Sequence, residues 1–137
     1  MALWRSPYWG VRLNWTITIL YVNKKTKYLF MAYFSQQTID AVWQKAIIVS
    51  GYDPNLWRKD FAGAWIARNA YGQQGPYGWE IDHLKPVTLR GTDDLSNLNP
   101  LQWQNNRTKG DDFPSFRTSV TSHDNKNIDK VQSWRVG

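Results

Sequence analysis

A chain of 137 residues with 42% hydrophobic, 15% aromatic and 20% charged residues has the length for one domain with a modest core, and is too apolar for a disordered segment. The absence of Cys excludes disulfides, thiolate zinc sites and cysteine nucleophiles. No run reaches the ~18 continuous apolar residues of a membrane helix, and the net charge of +6 fits either a polyanionic partner or an ordinary solvated surface.

Residues 2–10 are aromatic and irregular, punctuated by Pro7 and Gly10. From Leu13, apolar Leu13, Trp15, Ile17 and Ile19 alternate with Asn14, Thr16 and Thr18, the period of a strand. Asn23 to Lys27 is a polar turn and Tyr28 to Phe34 the returning strand, so a hairpin is expected. The polar interruptions in this first strand argue against a signal peptide and toward a cytoplasmic protein, which leaves the Asn14-Trp15-Thr16 sequon without meaning. Ser35 or Thr38 is positioned to cap a helix running to about Val49, with Ile39, Val42, Trp43 and Ala46 at helical spacing and Gly51 just beyond. Asp53-Pro54-Asn55 starts a turn, and Trp57 to Arg68 is expected as a second helix despite Gly63.

A loop rich in breakers, Tyr71 to Gly78, leads into a short strand, Trp79 to His83, which Pro86 brings to an end. Val87 to Ser96 is a loop holding Gly91 and the pair Asp93-Asp94, read as a turn and helix-start signal. Leu98 to Leu101 is extended, and Gln102 to Lys109 is helical and stopped by Gly110. After Asp112 the composition turns to Ser, Thr, Asn and Asp, with one apolar handle from Ile128 to Trp134, and this tail is expected to be peripheral or poorly ordered. The chain thus divides into a hairpin and helical support region (1–70), a strand–strand–helix motif (71–113) and a tail (114–137), together forming one compact domain of α+β class.

The chemistry concentrates in the middle region. Asp82 stands beside His83, Asn97 follows the His by 14 residues and Asn106 lies 9 further on. The carboxylate of Asp82 and the amide oxygen of Asn106 form a sparse, hard ligand set that suits Mg²⁺ or Mn²⁺ better than Zn²⁺ and leaves room for water and phosphate oxygens. An imidazole is largely free base at neutral pH and can take a proton from water, while Asn97 has an amide oxygen with which to aim it. Arg107 and Lys109 are placed to hold backbone phosphates. In a regular strand Asp82 and His83 face opposite sides, so both can serve one site only if His83 sits where the strand ends. Glu80 shares a face with Asp82, and is read equally as support for the ligands or as an exposed carboxylate. His123 is read as a solvated loop residue. Charge divides the same way as the motifs: residues 1–78 carry +6, residues 79–113 carry −2 and residues 114–137 carry +2. Acidic ligands between basic flanks is a pattern of nucleic-acid enzymes.

The run Glu80-x-Asp82-His83-x-x-Pro86, then Gly91, Asp94-Leu95-Ser96-Asn97-Leu98, Leu101 and Asn106-x-x-Lys109-Gly110 resembles the HNH endonucleases of the ββα-metal fold, in the subgroup with Asn as the third motif residue. The resemblance covers about a quarter of the chain. It implies an α+β protein with a ββα-metal core, preceded here by an N-terminal β-hairpin and helices. It further implies one divalent ion held by Asp82 and Asn106, His83 as general base, Asn97 orienting it, and hydrolysis of DNA phosphodiesters, with RNA not excluded as a substrate. The Cys pairs that staple many members are absent, so a hydrophobic core has to support the site. Two other readings stand beside this one: a nucleic-acid-binding module whose ββα site is inactive, and a toxin-type nuclease neutralised by an immunity protein.

Overall fold

The fold is described by a computed structural model over residues 34–137, and the hairpin expected from Leu13 to Phe34 lies, all but Phe34, outside the described residues. Among the described residues the architecture is α+β: helices α1 (Gln36–Trp43) and α2 (Trp103–Lys109), and six strands paired into three two-stranded antiparallel sheets. The strands are β1 (Trp57–Lys59), β2 (Trp65–Ala67), β3 (Trp79–His83), β4 (Leu98–Gln102), β5 (Ser115–His123) and β6 (Lys126–Arg135), pairing β1 with β2, β3 with β4 and β5 with β6. None of the described helices is long and apolar enough to cross a membrane.

Helix α1 starts where a capping residue allows it. Ser35 Oγ accepts the Thr38 amide at 3.1 Å, meeting one of the donors that a helix start leaves without a partner. The helix ends at Trp43, six residues short of the expected Val49. Its last turn is bound from outside by Arg58, whose guanidinium donates to the carbonyls of Trp43, Gln44 and Ala46 and to Gln44 Oε1. A cation on C-terminal carbonyls satisfies acceptors and the helix dipole together. Beyond that point Ile47 bridges antiparallel to Lys59, so the chain leaves the helix to extend the β1 edge.

The second expected helix, Trp57 to Arg68, is instead the β1–β2 hairpin, with Arg58 opposite Ile66. Asp60 decides this. Its backbone exchanges bonds with Ala64 and Gly63, while Oδ1 also accepts the Ala64 amide at 2.9 Å, closing a tight loop that needs the positive φ of Gly63 (+88°). The residues flanking the loop, Trp57, Trp65 and Ile66, are strand formers, so the local preference for a strand was present beside the helical spacing.

The tail after Asp112 is neither poorly ordered nor peripheral. It forms the two longest strands, with Phe116, Thr118 and Val120 buried at alternate positions of β5. Phe61 meets Phe116 and Trp134 edge-on at ring separations of 5.8 and 5.2 Å, and the Trp134 indole donates to Thr118 Oγ1. The hairpin also returns to β2, since Asn127 bonds both the amide and the carbonyl of Trp65 through its side chain.

Two buried polar residues join these parts. Asp60 Oδ2 accepts from the Gln102 amide and from Asn105 Nδ2, both at 3.0 Å, linking the β1–β2 loop to the junction of β4 with α2. Asn105 then reads β5: Oδ1 accepts the amides of Ser119 and Val120, and Nδ2 donates to the Val120 carbonyl. That is where the register of β5 against β6 shifts, so the amide satisfies backbone groups that the irregular ladder cannot.

Asn105→Ala strands several of these buried groups at once and is expected to destabilise the fold by about 3 kcal/mol or more, read as a lower urea midpoint at unchanged slope. A second expectation concerns pH. Burial pushes the Asp60 carboxyl up to about 6, its hydrogen bonds to Asn105, Gln102, Ala64 and Ala62 pulling partly the other way. The folded state therefore holds this proton more tightly than the unfolded chain does. The resulting stabilisation is complete below the ordinary carboxylate pKa near 4 and is lost as pH rises through about 6. In urea titrations from pH 4 to 7 the advantage of wild type over Asp60→Asn shrinks by about 3 kcal/mol, whereas an advantage independent of pH would contradict the assignment.

Candidate active site

The strands β3 and β4 pair in register from Trp79 opposite Gln102 to His83 opposite Leu98, and α2 follows β4 directly. All five residues of β3 are buried, which happens only when both faces of a strand are covered. The two covers differ in kind. Trp79 and Ile81 enter the apolar cluster with Val42, Trp43, Ala46, Ile66 and Leu98. Glu80 and Asp82, on the alternate face, meet α2.

Helix α2 is aimed by its own cap. Gln102 Oε1 accepts the amides of Gln104 and Asn105, and at the other end the amide of Gly110 donates to the Asn106 carbonyl. Asn106 and Lys109, three residues apart and so on one helix face, both point at β3. Asn106 Nδ2 donates to Glu80 Oε2 at 2.7 Å, which orients the amide. Glu80 thus supports Asn106 rather than standing exposed. Its charge also reaches Tyr71, whose hydroxyl is pushed up to about 12 first by burial and then by Glu80.

Lys109 departs from its expected role at the phosphates. Its side chain is fully buried, with Nζ 3.2 Å from Asp82 Oδ1 and 3.0 Å from the His83 carbonyl, above the ring of Phe116. A buried ammonium needs a carboxylate and further acceptors to offset its desolvation, and Lys109 has them. It holds the end of β3 rather than reaching for a polyanion. Arg107, on the same helix, is partly exposed and stacks over Trp103 at 4.6 Å.

His83 is the last residue of β3, the position that the alternation argument required of it. Its side chain is 9% exposed, lies 5.9 Å from the ring of Phe34, and places Nε2 2.6 Å from Asp93 Oδ1. The Asn97 amide oxygen does not aim the imidazole, since it accepts the Lys85 amide at 2.8 Å. The Asn97 Nδ2 donates to the carbonyls of Lys85 and Thr92, so one side chain clamps both ends of the 85–92 loop. Gly91 lets the loop close: its amide donates to the Pro86 carbonyl, and a Cβ at that position would fall 1.7 Å from the Lys85 oxygen. Sequence reasoning placed Asp93 and Asp94 together in a turn, and only Asp94 keeps that role, accepting the Asn97 amide. Nothing local distinguishes the two carboxylates, because the loop alone decides which one meets His83. His123 is exposed on the β5–β6 turn beside Asp124.

Among the described residues no group of three or more His, Cys, Asp or Glu side chains is arranged to hold a metal. The oxygen donors that the sequence nominates are a carboxylate and an amide, Asp82 and Asn106, both fully buried on facing elements. With Lys109 on Oδ1, Asp82 offers a cation one oxygen at most. Two such donors fall short of the three or four protein ligands of a zinc site.

Removing one member of the Asp82–Lys109 pair leaves the other charge buried. Lys109→Met is therefore expected to lose about 3–5 kcal/mol of stability by urea denaturation, far more than substitution of a surface lysine. No family model matches this chain, and neither a curated protein nor a solved structure matches it.

Proposed function

We propose that this chain is a metal-dependent DNA endonuclease of the HNH, ββα-metal type. The observation that carries the reading is the arrangement of β3, β4 and α2, in which Asp82 and Asn106 are buried on facing elements and His83 ends the strand beside them. Burying a carboxylate and an amide costs free energy unless they are paired, and Lys109 and Glu80 supply those partners while leaving the two residues at one junction.

In this reading Asp82 and Asn106 hold one Mg²⁺ or Mn²⁺ ion, and Glu80 keeps the Asn106 amide turned the right way. The ion, when bound, withdraws charge from the phosphate and from the leaving oxygen. His83 takes the proton of the attacking water, and its low exposure limits competing contacts with bulk solvent. Asn97 holds the loop that leads to Asp93, and Lys109 keeps the Asp82 carboxylate and the His83 carbonyl in place. Arg107, the partly exposed cation of α2, is the contact for the DNA backbone, and the net charge of +6 favours a polyanion.

A second reading, a nucleic-acid-binding module whose polar centre serves structure, is favoured by one observation: Asp82 is engaged by Lys109 and Asn106 by Glu80 within the protein. Two measurements separate the readings. On supercoiled plasmid with Mg²⁺ or Mn²⁺, wild type converts the substrate and His83→Ala slows conversion by roughly 10²–10⁴-fold; equal cleavage by both proteins would refute the nuclease assignment. Independently of activity, Mn²⁺ raises the melting temperature of wild type but not of Asp82→Asn.

A further inference from the structure

Asp93 is the side chain that meets His83 directly, and sequence reasoning gave it no part in the chemistry. Its side chain is 75% exposed, and its Oδ1 lies 2.6 Å from Nε2. An exposed ionised carboxylate only accepts hydrogen bonds, so at that distance Nε2 carries the hydrogen. The neutral imidazole then has its lone pair on Nδ1, and Nδ1 is the nitrogen able to take a proton from water.

The placement of Asp93 is built rather than incidental. Asn97 pins the residue just before it by donating to the Thr92 carbonyl at 2.8 Å. The residue just after it is held as well, since Thr92 Oγ1 donates to Asp94 Oδ2 and the Asn97 amide donates to the Asp94 carbonyl. The loop returns on itself at Gly91, immediately upstream. Asp93 therefore stands at the centre of a short segment fixed on both sides, and His83 is fixed in turn by the end of β3 and the Lys109 bond to its carbonyl.

We propose that Asp93 is the positioning residue of this site: it sets the tautomer and ring orientation of His83 through Nε2, and Asn97 acts on the base only through the loop that carries Asp93. The inference rests on the endonuclease reading for its catalytic consequence, but not for the hydrogen bond itself. It also predicts a direction that a blocking role would reverse. If Asp93 merely occupied the reactive nitrogen, its removal would free the base and speed the reaction.

The test uses the full chain with His123→Gln, so that one imidazole remains, labelled with ¹⁵N and observed by NMR above the ordinary His pKa of ~6.5. In the wild-type background Nε2 is expected as the protonated nitrogen and Nδ1 as the bare one, and Asp93→Ala is expected to give a mixture of tautomers. Plasmid cleavage by Asp93→Ala falls roughly 10- to 100-fold in kcat with KM unchanged, and Asp93→Glu recovers part of the loss. Because Asp93 is exposed, its variants keep the melting temperature of wild type. A hydrogen on Nδ1 in the wild-type background, or cleavage by Asp93→Ala as fast as wild type or faster, overturns the proposal. The tautomer is read without any cleavage, so an inactive wild type refutes the nuclease reading while the NMR result still judges Asp93.

Discussion

The contact on which the rest of the described fold depends is the buried hydrogen bond between Asp60 and Asn105. Asp60 closes the β1–β2 loop and, with its other oxygen, takes the first amide of the turn into α2. Asn105 passes the connection to β5 at the point where the β5–β6 ladder slips. Three sheets of two strands each have little reason to hold a fixed mutual orientation, since a lone two-stranded ribbon is marginal in water. A fully bonded polar link inside the protein supplies direction that apolar contact lacks. Apolar packing then fills around it: Trp43 and Trp79 lie at 5.4 Å in the main cluster, and Phe61 is set against Phe116 and Trp134 beneath the last hairpin.

That link matters to the candidate site because it fixes the start of α2. With Gln102 and Asn105 held, the next helical positions facing β3 are Asn106 and Lys109, and these find Glu80 and Asp82. The strand is thus covered by tryptophan and isoleucine packing on one side and by a charge network on the other. A protein without cysteine can support such a centre because the aromatic core sets the backbone, while Arg58 and Lys45 tie α1 to its surroundings through backbone carbonyls. Partial burial lowers the pKa of Lys45, whose ammonium donates to the Leu95 and Leu98 carbonyls.

Much of the middle region was legible because its signals are local. Pro86 ends β3 close behind His83, Gly110 follows the last turn of α2, and the alternation argument required His83 to stand last in its strand. The hairpin at Asp60 is hidden in the sequence because Trp57, Phe61 and Trp65 also satisfy a helical spacing, and the deciding bonds run from Asp60 to residues up to 45 positions away. The strands of the tail are hard to see in the sequence because their period is carried by few apolar residues, Phe116 and Val120 with Thr118 between them, amid Ser and Asn. For such a segment burial depends on what it packs against, and Phe61 is far off in the chain.

The sequence by itself determined which residue types gather between positions 80 and 110, the strand that delivers Asp82 and His83, and the helix that delivers Asn106. These follow from backbone preference and side-chain period, which act over a few residues. Only the tertiary structure decided the partner of each polar side chain: Glu80 for Asn106, Lys109 for Asp82, Asp93 for His83, and Lys85 with Thr92 for Asn97. The reason is physical. A buried polar group takes whichever complementary atom the fold brings within hydrogen-bond reach, and that proximity is set by loop closure and packing between segments that have no local means of recognising one another.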